Sequence, residues 1–106
     1  MLIIVMDADV AKSTRTNWVQ DKYPKKFIDR GICEEDMIGA AAGMALAGMI
    51  HFISTYGVFL SGRGWDQIRT TVCYTDLNVK FGGAHGGISV GPDGATHQAL
   101  EEEILI

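Results

Sequence analysis

The residues best suited to chemistry lie close together near the C-terminal end of the sequence. His85, Asp93 and His97 place two imidazoles and a carboxylate in one glycine-rich stretch. A neutral imidazole both donates and accepts a hydrogen bond, which suits proton transfer near neutral pH. Glycines let the backbone adopt positive φ and approach a ligand closely; those in this stretch are Gly82, Gly83, Gly86, Gly87, Gly91 and Gly94. We therefore expect a ligand-contacting loop.

Other interpretations of the same stretch are weaker. A flexible linker would favour serine and would lack paired histidines. Asp93-Gly94 could form a simple turn, and either histidine could be an ordinary loop residue. A metal site made by His85, Asp93 and His97 has a spacing that fits no common zinc pattern, and we expect no metal ion bound to this chain.

Composition limits the classes of protein to which the chain can belong. It has 106 residues, 47% of them hydrophobic, a net charge of −4 and a pI of about 5.2. We expect one globular domain over residues 1–106, and the missing basic stripe argues against a nucleic-acid partner. Cys33 and Cys73 are too few for a disulfide framework, which favours reduced thiols in the cytoplasm. No signal peptide and no apolar run of about 18 residues is present, so we expect no membrane association.

Strand and helix patterns alternate along the chain and would bring several polar residues to one edge. Strands are predicted over residues 2–6, 27–29, 50–55 and 77–81, and helices over 13–23, 34–48, 59–73 and 95–106. This alternation predicts an α/β fold, a three-layer sandwich around a mostly parallel sheet of about four strands. Because the sequence ends in a helix pattern, we expect the domain to be incomplete at its C-terminus. Ligands of such sheets bind beyond the carboxyl ends of the strands, where Asp9, Glu34, Tyr56 and His85 should converge.

Three ordered motifs resemble one known family. They are Gly31-Ile-Cys-Glu-Glu-Asp-Met37, Ser54-Thr-Tyr-Gly-Val-Phe-Leu60 and His85-Gly-Gly-Ile-Ser-Val-Gly-Pro-Asp-Gly-Ala-Thr-His97. Together they resemble the pyrimidine-binding domain of transketolases, which are thiamine-diphosphate enzymes. The resemblance extends from about Ile3 to Glu102 and is greatest to the C-terminal half of split bacterial and archaeal transketolases. It implies the thiamine-diphosphate-binding pyrimidine-domain fold.

The resemblance implies a role for three residues in holding the cofactor's aminopyrimidine ring. Glu34 matches the acidic residue that meets the ring nitrogen N1′, where a carboxyl group assists removal of the proton from the reactive carbon of the cofactor. Without the motif, Glu34 would be an ordinary first-turn glutamate stabilised by the helix dipole. Tyr56 and Phe59 match aromatics that pack on the ring, although core packing alone would also explain them.

The resemblance also assigns residues to the sugar substrate. His85 and His97 match histidines that bind the sugar's oxygens and move protons, and Asp93 matches an aspartate that binds a substrate hydroxyl. Asp9 matches a residue near the thiazolium ring and Ser13 one that contacts substrate phosphate. Asp9 could equally be a turn residue at the end of a strand, and Ser13 or Thr14 a helix N-cap.

The implied reaction transfers a two-carbon ketol unit between sugar phosphates, as in the pentose phosphate pathway. The diphosphate and its Mg²⁺ would be held by a partner chain or domain, so the isolated chain should be inactive. A helix rich in small residues over 38–48 would support a homo-oligomer or close packing within the chain. Two alternatives remain: a domain like that of 1-deoxy-D-xylulose-5-phosphate synthase, and a truncated, non-catalytic domain that binds a partner protein or forms assemblies.

Overall fold

Four parallel strands form one sheet in the computed structural model, which describes residues 2–100. The strands are β1 (Ile3–Asp7), β2 (Phe27–Asp29), β3 (Ile50–Tyr56) and β4 (Val79–Ala84), in the spatial order β2-β1-β3-β4. All neighbouring strands pair in parallel. The α/β class predicted from the alternation of elements is confirmed.

The helices follow the predicted order with different bounds. They are α1 (Ala11–Thr14), α2 (Asn17–Lys22), α3 (Glu34–Leu46) and α4 (Gly57–Asp66), and α4 continues directly into a π-helical segment, Gln67–Cys73.

The prediction of one helix over residues 13–23 was wrong. Arg15 adopts a φ of 66° and ends α1, because an L-residue in the left-handed region cannot continue a right-handed helix. Ser13 and Thr14 lie inside α1 and do not cap it; the N-cap position is Val10, which makes no side-chain capping bond.

The core lies between one face of the sheet and the packed pair α3 and α4. Burial alternates along β3: His51, Ile53 and Thr55 are buried, whereas Phe52 is 47% exposed. β1 is buried only in part, since Ile3 is 41% exposed whereas Ile4 and Met6 are buried. The apolar residues of this core include Ile4, Met6, Met37, Ile38, Ala41, Ala42, Leu60, Ile68 and Val72.

Small residues let α3 and α4 approach each other within the chain. A Cβ atom added to Gly64 would clash with Cδ1 of Ile38, so a larger residue at this crossing would require the Ile38 side chain to shift. Ala41 and Ala42 are buried on the core side of α3, whereas Gly39 and Gly43 are exposed. Part of the small-residue pattern therefore serves packing inside the chain.

The last described residues differ from the predicted helix over 95–106. A 3₁₀ segment spans Gly91–Thr96, and Ala99 then forms β-bridges with Gly86 and Gly87. The helix prediction was wrong over 95–100, and its remainder, 101–106, lies outside the described residues.

The glycines of the predicted loop fall into two groups. Gly87, Gly91 and Gly94 have positive φ, as expected, but Gly82 and Gly83 belong to β4.

Among residues 2–100, no helix combines the length and apolar character needed to cross a bilayer.

Candidate functional site

Glu34 is a buried carboxylate at the carboxyl edge of the sheet. It is the first residue of α3 and is only 1% exposed. The chain reaches it from β2 through Gly31, whose φ of 72° turns the backbone into the helix. Glu35 and Asp36 share the first turn of α3 but are exposed. The helix dipole favours a negative charge at this end of α3.

Two neighbours satisfy the Glu34 carboxylate. Thr55 Oγ1 donates to Oε1 at 3.3 Å, and Arg63 Nη1 donates to Oε2 at 3.1 Å. Thr55 is fully buried near the end of β3, whereas the Arg63 side chain on α4 is 44% exposed. One partner is thus fixed by the sheet, and the other is free to move into solvent.

An aromatic cluster lies beside this carboxylate. Tyr56 ends β3 and Phe59 lies in the first turn of α4, with ring centroids 6.0 Å apart. The Arg63 guanidinium carbon is 4.1 Å from the Phe59 centroid, which is cation–π contact. Arg63 therefore links the carboxylate to the cluster.

The two loop histidines close the cluster. The His85 ring is 4.4 Å from the Tyr56 ring, and the His97 ring is 5.0 Å from that of Phe59, both in edge-to-face geometry. His85 follows β4 directly and adopts a φ of 58°, an uncommon conformation for a residue with a side chain. A continuous series of contacts thus runs from Glu34 through Arg63 to both imidazoles.

The imidazoles differ in their hydrogen bonding. His97 Nδ1 lies 2.8 Å from Thr96 Oγ1. His85 Nδ1 is buried and has no hydrogen-bond partner among the described residues. Buried polar atoms in proteins nearly always have a hydrogen-bond partner, so Nδ1 of His85 is an exception in this cluster.

The sequence matches the transketolase pyrimidine-binding domain family over residues 2–105. The chain belongs to this family. A protein named as a transketolase C-terminal section from Methanocaldococcus jannaschii is 46% identical over 100 residues, which cover 94% of this chain and 32% of that protein. A 1-deoxy-D-xylulose-5-phosphate synthase from Acaryochloris marina is 42% identical over 98 residues, 92% of this chain and 15% of that enzyme.

A solved structure agrees with this assignment. It is described as a split gene transketolase, an inactive β4 tetramer, and superposes with a TM-score of 0.79 at 42% identity. The match covers 98% of this chain and 33% of that one. This transketolase-family chain therefore spans a third or less of the length of these relatives. The family is thiamine-diphosphate-dependent.

Three predicted site residues lie apart from the cluster in the transketolase-family fold. Asp9 and Ser13 line a cleft of about 560 Å³ beside the carboxyl ends of β1 and β2, together with Asp29. Asp93 is exposed in the 3₁₀ segment, and its backbone carbonyl accepts a bond from Thr96 Oγ1 at 3.4 Å. Contacts among the described residues therefore join Glu34, Tyr56, Phe59, His85 and His97, and these contacts do not include Asp9, Ser13 or Asp93.

Sequence reasoning missed three residues that shape this edge. Arg63 could have been found, because its i, i+4 spacing from Phe59 puts both on one helix face. Thr55 precedes Tyr56 and faces the core by strand alternation.

Asp7 is the third missed residue. It is fully buried and accepts bonds from Val10 N at 2.7 Å, Thr14 Oγ1 at 2.7 Å and Thr16 Oγ1 at 2.8 Å. Only the folded turn after β1 reveals its role.

His51 is a buried imidazole within β3. His51 pairs in register with Ile4 and Val79, is fully buried, and has a pKa lowered by burial, which suits a structural residue. Within residues 2–100, no group of three or more His, Cys, Asp or Glu side chains could hold a metal ion.

Proposed function

We propose that this chain supplies the pyrimidine-binding wall of a thiamine-diphosphate-dependent site that transfers a two-carbon ketol unit between sugar phosphates. One observation carries the proposal: the buried carboxylate of Glu34 lies beside an aromatic cluster that also contains two imidazoles. An aminopyrimidine ring needs this pair of features, a carboxylate at a ring nitrogen and an apolar aromatic surface for its faces.

The residues present fit the pyrimidine end of the cofactor. Glu34 would hold a proton at the ring nitrogen, and Tyr56 and Phe59 would contact the ring. When bound, the cofactor supplies an electron sink for breaking a carbon–carbon bond of the ketose. The diphosphate and Mg²⁺ would lie on a partner chain or domain, because the transketolase relatives are divided into sections or are far longer than this chain.

The sugar would lie over the glycine-rich loop. His85 and His97 would exchange hydrogen bonds and protons with its oxygens, and the unpaired Nδ1 of His85 supports this role. Asp93 would bind a hydroxyl, while Asp9 and Ser13 would line the approach to the thiazolium ring and the phosphate. The cleft beside β1 and β2 has a volume of about 560 Å³, larger than a phosphate group, and Lys12 and Ser13 line it together with three aspartates.

The proposed partner is a diphosphate-binding transketolase subunit, and the chain would work in an oligomer. The relatives named as a C-terminal section and as a split gene product support a divided site. The solved relative is described as an inactive β4 tetramer. Ketol-transfer activity of the pure chain, without any partner, would overturn this part of the proposal.

Replacing Glu34 tests the catalytic claim. In a complex reconstituted with a diphosphate-binding transketolase subunit, Glu34→Gln should lower ketol transfer at least about 100-fold, because an amide cannot exchange the proton. The matched control is Glu35→Gln, which changes the adjacent, exposed carboxylate of the same helix turn and should leave activity within about twofold. Unchanged activity of Glu34→Gln would favour the non-catalytic alternative.

A second candidate is an activity like that of 1-deoxy-D-xylulose-5-phosphate synthase, which the 42% identity to such an enzyme supports. The two differ in the donor that they use. With glyceraldehyde phosphate as acceptor, a transketolase site consumes a ketose phosphate, whereas a synthase site consumes pyruvate. Turnover with pyruvate as the only donor would favour the synthase activity over the transketolase activity.

A further inference from the structure

Arg63 contacts both groups that the proposed aminopyrimidine site requires, a carboxylate and an aromatic ring. Arg63 Nη1 lies 3.1 Å from Glu34 Oε2, and its guanidinium carbon lies 4.1 Å from the Phe59 ring centroid. A guanidinium is planar and cationic, donates hydrogen bonds to a carboxylate and stacks on aromatic rings. An aminopyrimidine that is bound to Glu34 and stacked on Phe59 would need the same space.

We propose that Arg63 is a built-in competitor that fills the aminopyrimidine position and must swing out before the cofactor's base can bind. The inference rests on the proposed function and adds a regulatory element to it. The affinity for the base would then depend on a competition inside the chain, as well as on the groups that contact the base.

Burial indicates which group has to move. With Arg63 in place the Glu34 side chain is only 2% exposed, so a ligand cannot reach the carboxylate without a rearrangement. Thr55, the other partner of Glu34, is fully buried in β3 and cannot leave without disturbing the sheet. The Arg63 side chain is 44% exposed and can move into water while the helix stays in place.

The exchange also leaves Glu34 satisfied. When Arg63 leaves, the Thr55 hydroxyl still donates to Oε1, and the incoming base would replace the guanidinium at Oε2. Without a ligand, Arg63 keeps the buried carboxylate paired, which avoids the large cost of an uncompensated buried charge. The same side chain would therefore stabilise the empty site and weaken ligand binding.

Removing the competitor tests the inference directly. The probe is the hydroxymethyl derivative of the cofactor's aminopyrimidine, titrated calorimetrically into the full chain. Arg63→Met should bind it about three- to tenfold more tightly than the unchanged chain, since a half-exposed ion pair and a cation–π contact no longer compete. The control Arg69→Met removes the same charge at an exposed position just beyond α4 and should leave affinity unchanged.

Equal or weaker binding by Arg63→Met would overturn the inference, as would the absence of binding by every variant. The proposed function is judged separately, by the activity of Glu34→Gln in the reconstituted complex. Should Arg63→Met fail to fold, side-chain ¹⁵N NMR of the unchanged chain provides the test. Addition of the probe should move the Arg63 signals to those of a solvent-exposed arginine; Arg63 signals that stay in place, with or without shifts of the Phe59 and His97 rings, would refute displacement.

Discussion

Two fully buried carboxylates at the same edge of the sheet, Asp7 and Glu34, are held in different ways. Asp7 accepts three short bonds, at 2.7, 2.7 and 2.8 Å, all from residues within the next nine of the chain. Glu34 has two longer bonds, at 3.3 and 3.1 Å, from β3 and α4. One of its two partners is a half-exposed arginine.

We infer that the difference separates a structural carboxylate from one whose partner a ligand can replace. The partners of Asp7 are a backbone N–H and two short threonine side chains that cannot withdraw while the turn stays folded. Glu34 can exchange Arg63 for a ligand without leaving a buried donor unpaired. Burial alone would class the two together; the number and lengths of their bonds and the exposure of Arg63 distinguish them.

Replacing Asp7 should cause the largest loss of stability. Asp7→Asn should lower the free energy of unfolding by about 2–3 kcal/mol, because the amide cannot accept bonds from Val10 N, Thr14 and Thr16 in the same way, and bonds to a charged acceptor contribute the most. Urea unfolding followed by circular dichroism measures the change.

A matched control is Asp29→Asn. Asp29 Oδ1 accepts bonds from Asp9 N at 3.0 Å and Gly31 N at 2.8 Å, but the residue is exposed. An asparagine carbonyl can still accept both bonds, so the loss should stay below about 1 kcal/mol. Equal losses in the free energy of unfolding at positions 7 and 29 would show that the buried hydrogen bonds of Asp7 stabilise the fold no more than the exposed ones of Asp29.

Sequence patterns were enough for the parallel sheet and for the position of Glu34, because alternating elements and strand-end residues carry those signals. They could not predict the break at Arg15, since a left-handed arginine has no local signature, and that break builds the turn around Asp7. The Glu34–Arg63 pair joins residues 29 apart in sequence. Helical spacing points Arg63 at Phe59, but only the packing of α3 on α4 brings it to the carboxylate.

His51 is a third buried polar side chain, and it has no hydrogen-bond partner at all in the described part of the chain. Both ring nitrogens of His51 are buried and unpaired, and burial lowers the pKa of His51 below its usual 6.5. The folded chain therefore resists a proton that the unfolded chain accepts. Above pH 6.5 the ring is neutral in both states, and the free energy of unfolding does not depend on it. As the pH falls from 6.5 towards the folded pKa, the unfolded chain takes up the proton first, and the free energy of unfolding declines.

His51→Leu tests this. The substitution should raise the free energy of unfolding by about 1 kcal/mol at pH 7, since it removes two unpaired buried nitrogens between Ile4 and Val79. The gain over the unchanged chain should grow as the pH falls from 7 to 5, by at most about 1.4 kcal/mol per pH unit. Unfolding curves at several pH values measure it, and a gain independent of pH would mean that His51 has a partner in solution.

Replacing Glu34 should change the free energy of unfolding least, and this result tests whether Glu34 differs from Asp7. Glu34→Gln should change the free energy of unfolding by less than about 1 kcal/mol. The glutamine carbonyl can still accept one bond, and Arg63 can turn its charge to water. The same urea unfolding measurement applies. A loss as large as that of Asp7→Asn would mean that Arg63 is as fixed as the threonines around Asp7, and Glu34 would then be a structural carboxylate rather than one held ready for a ligand.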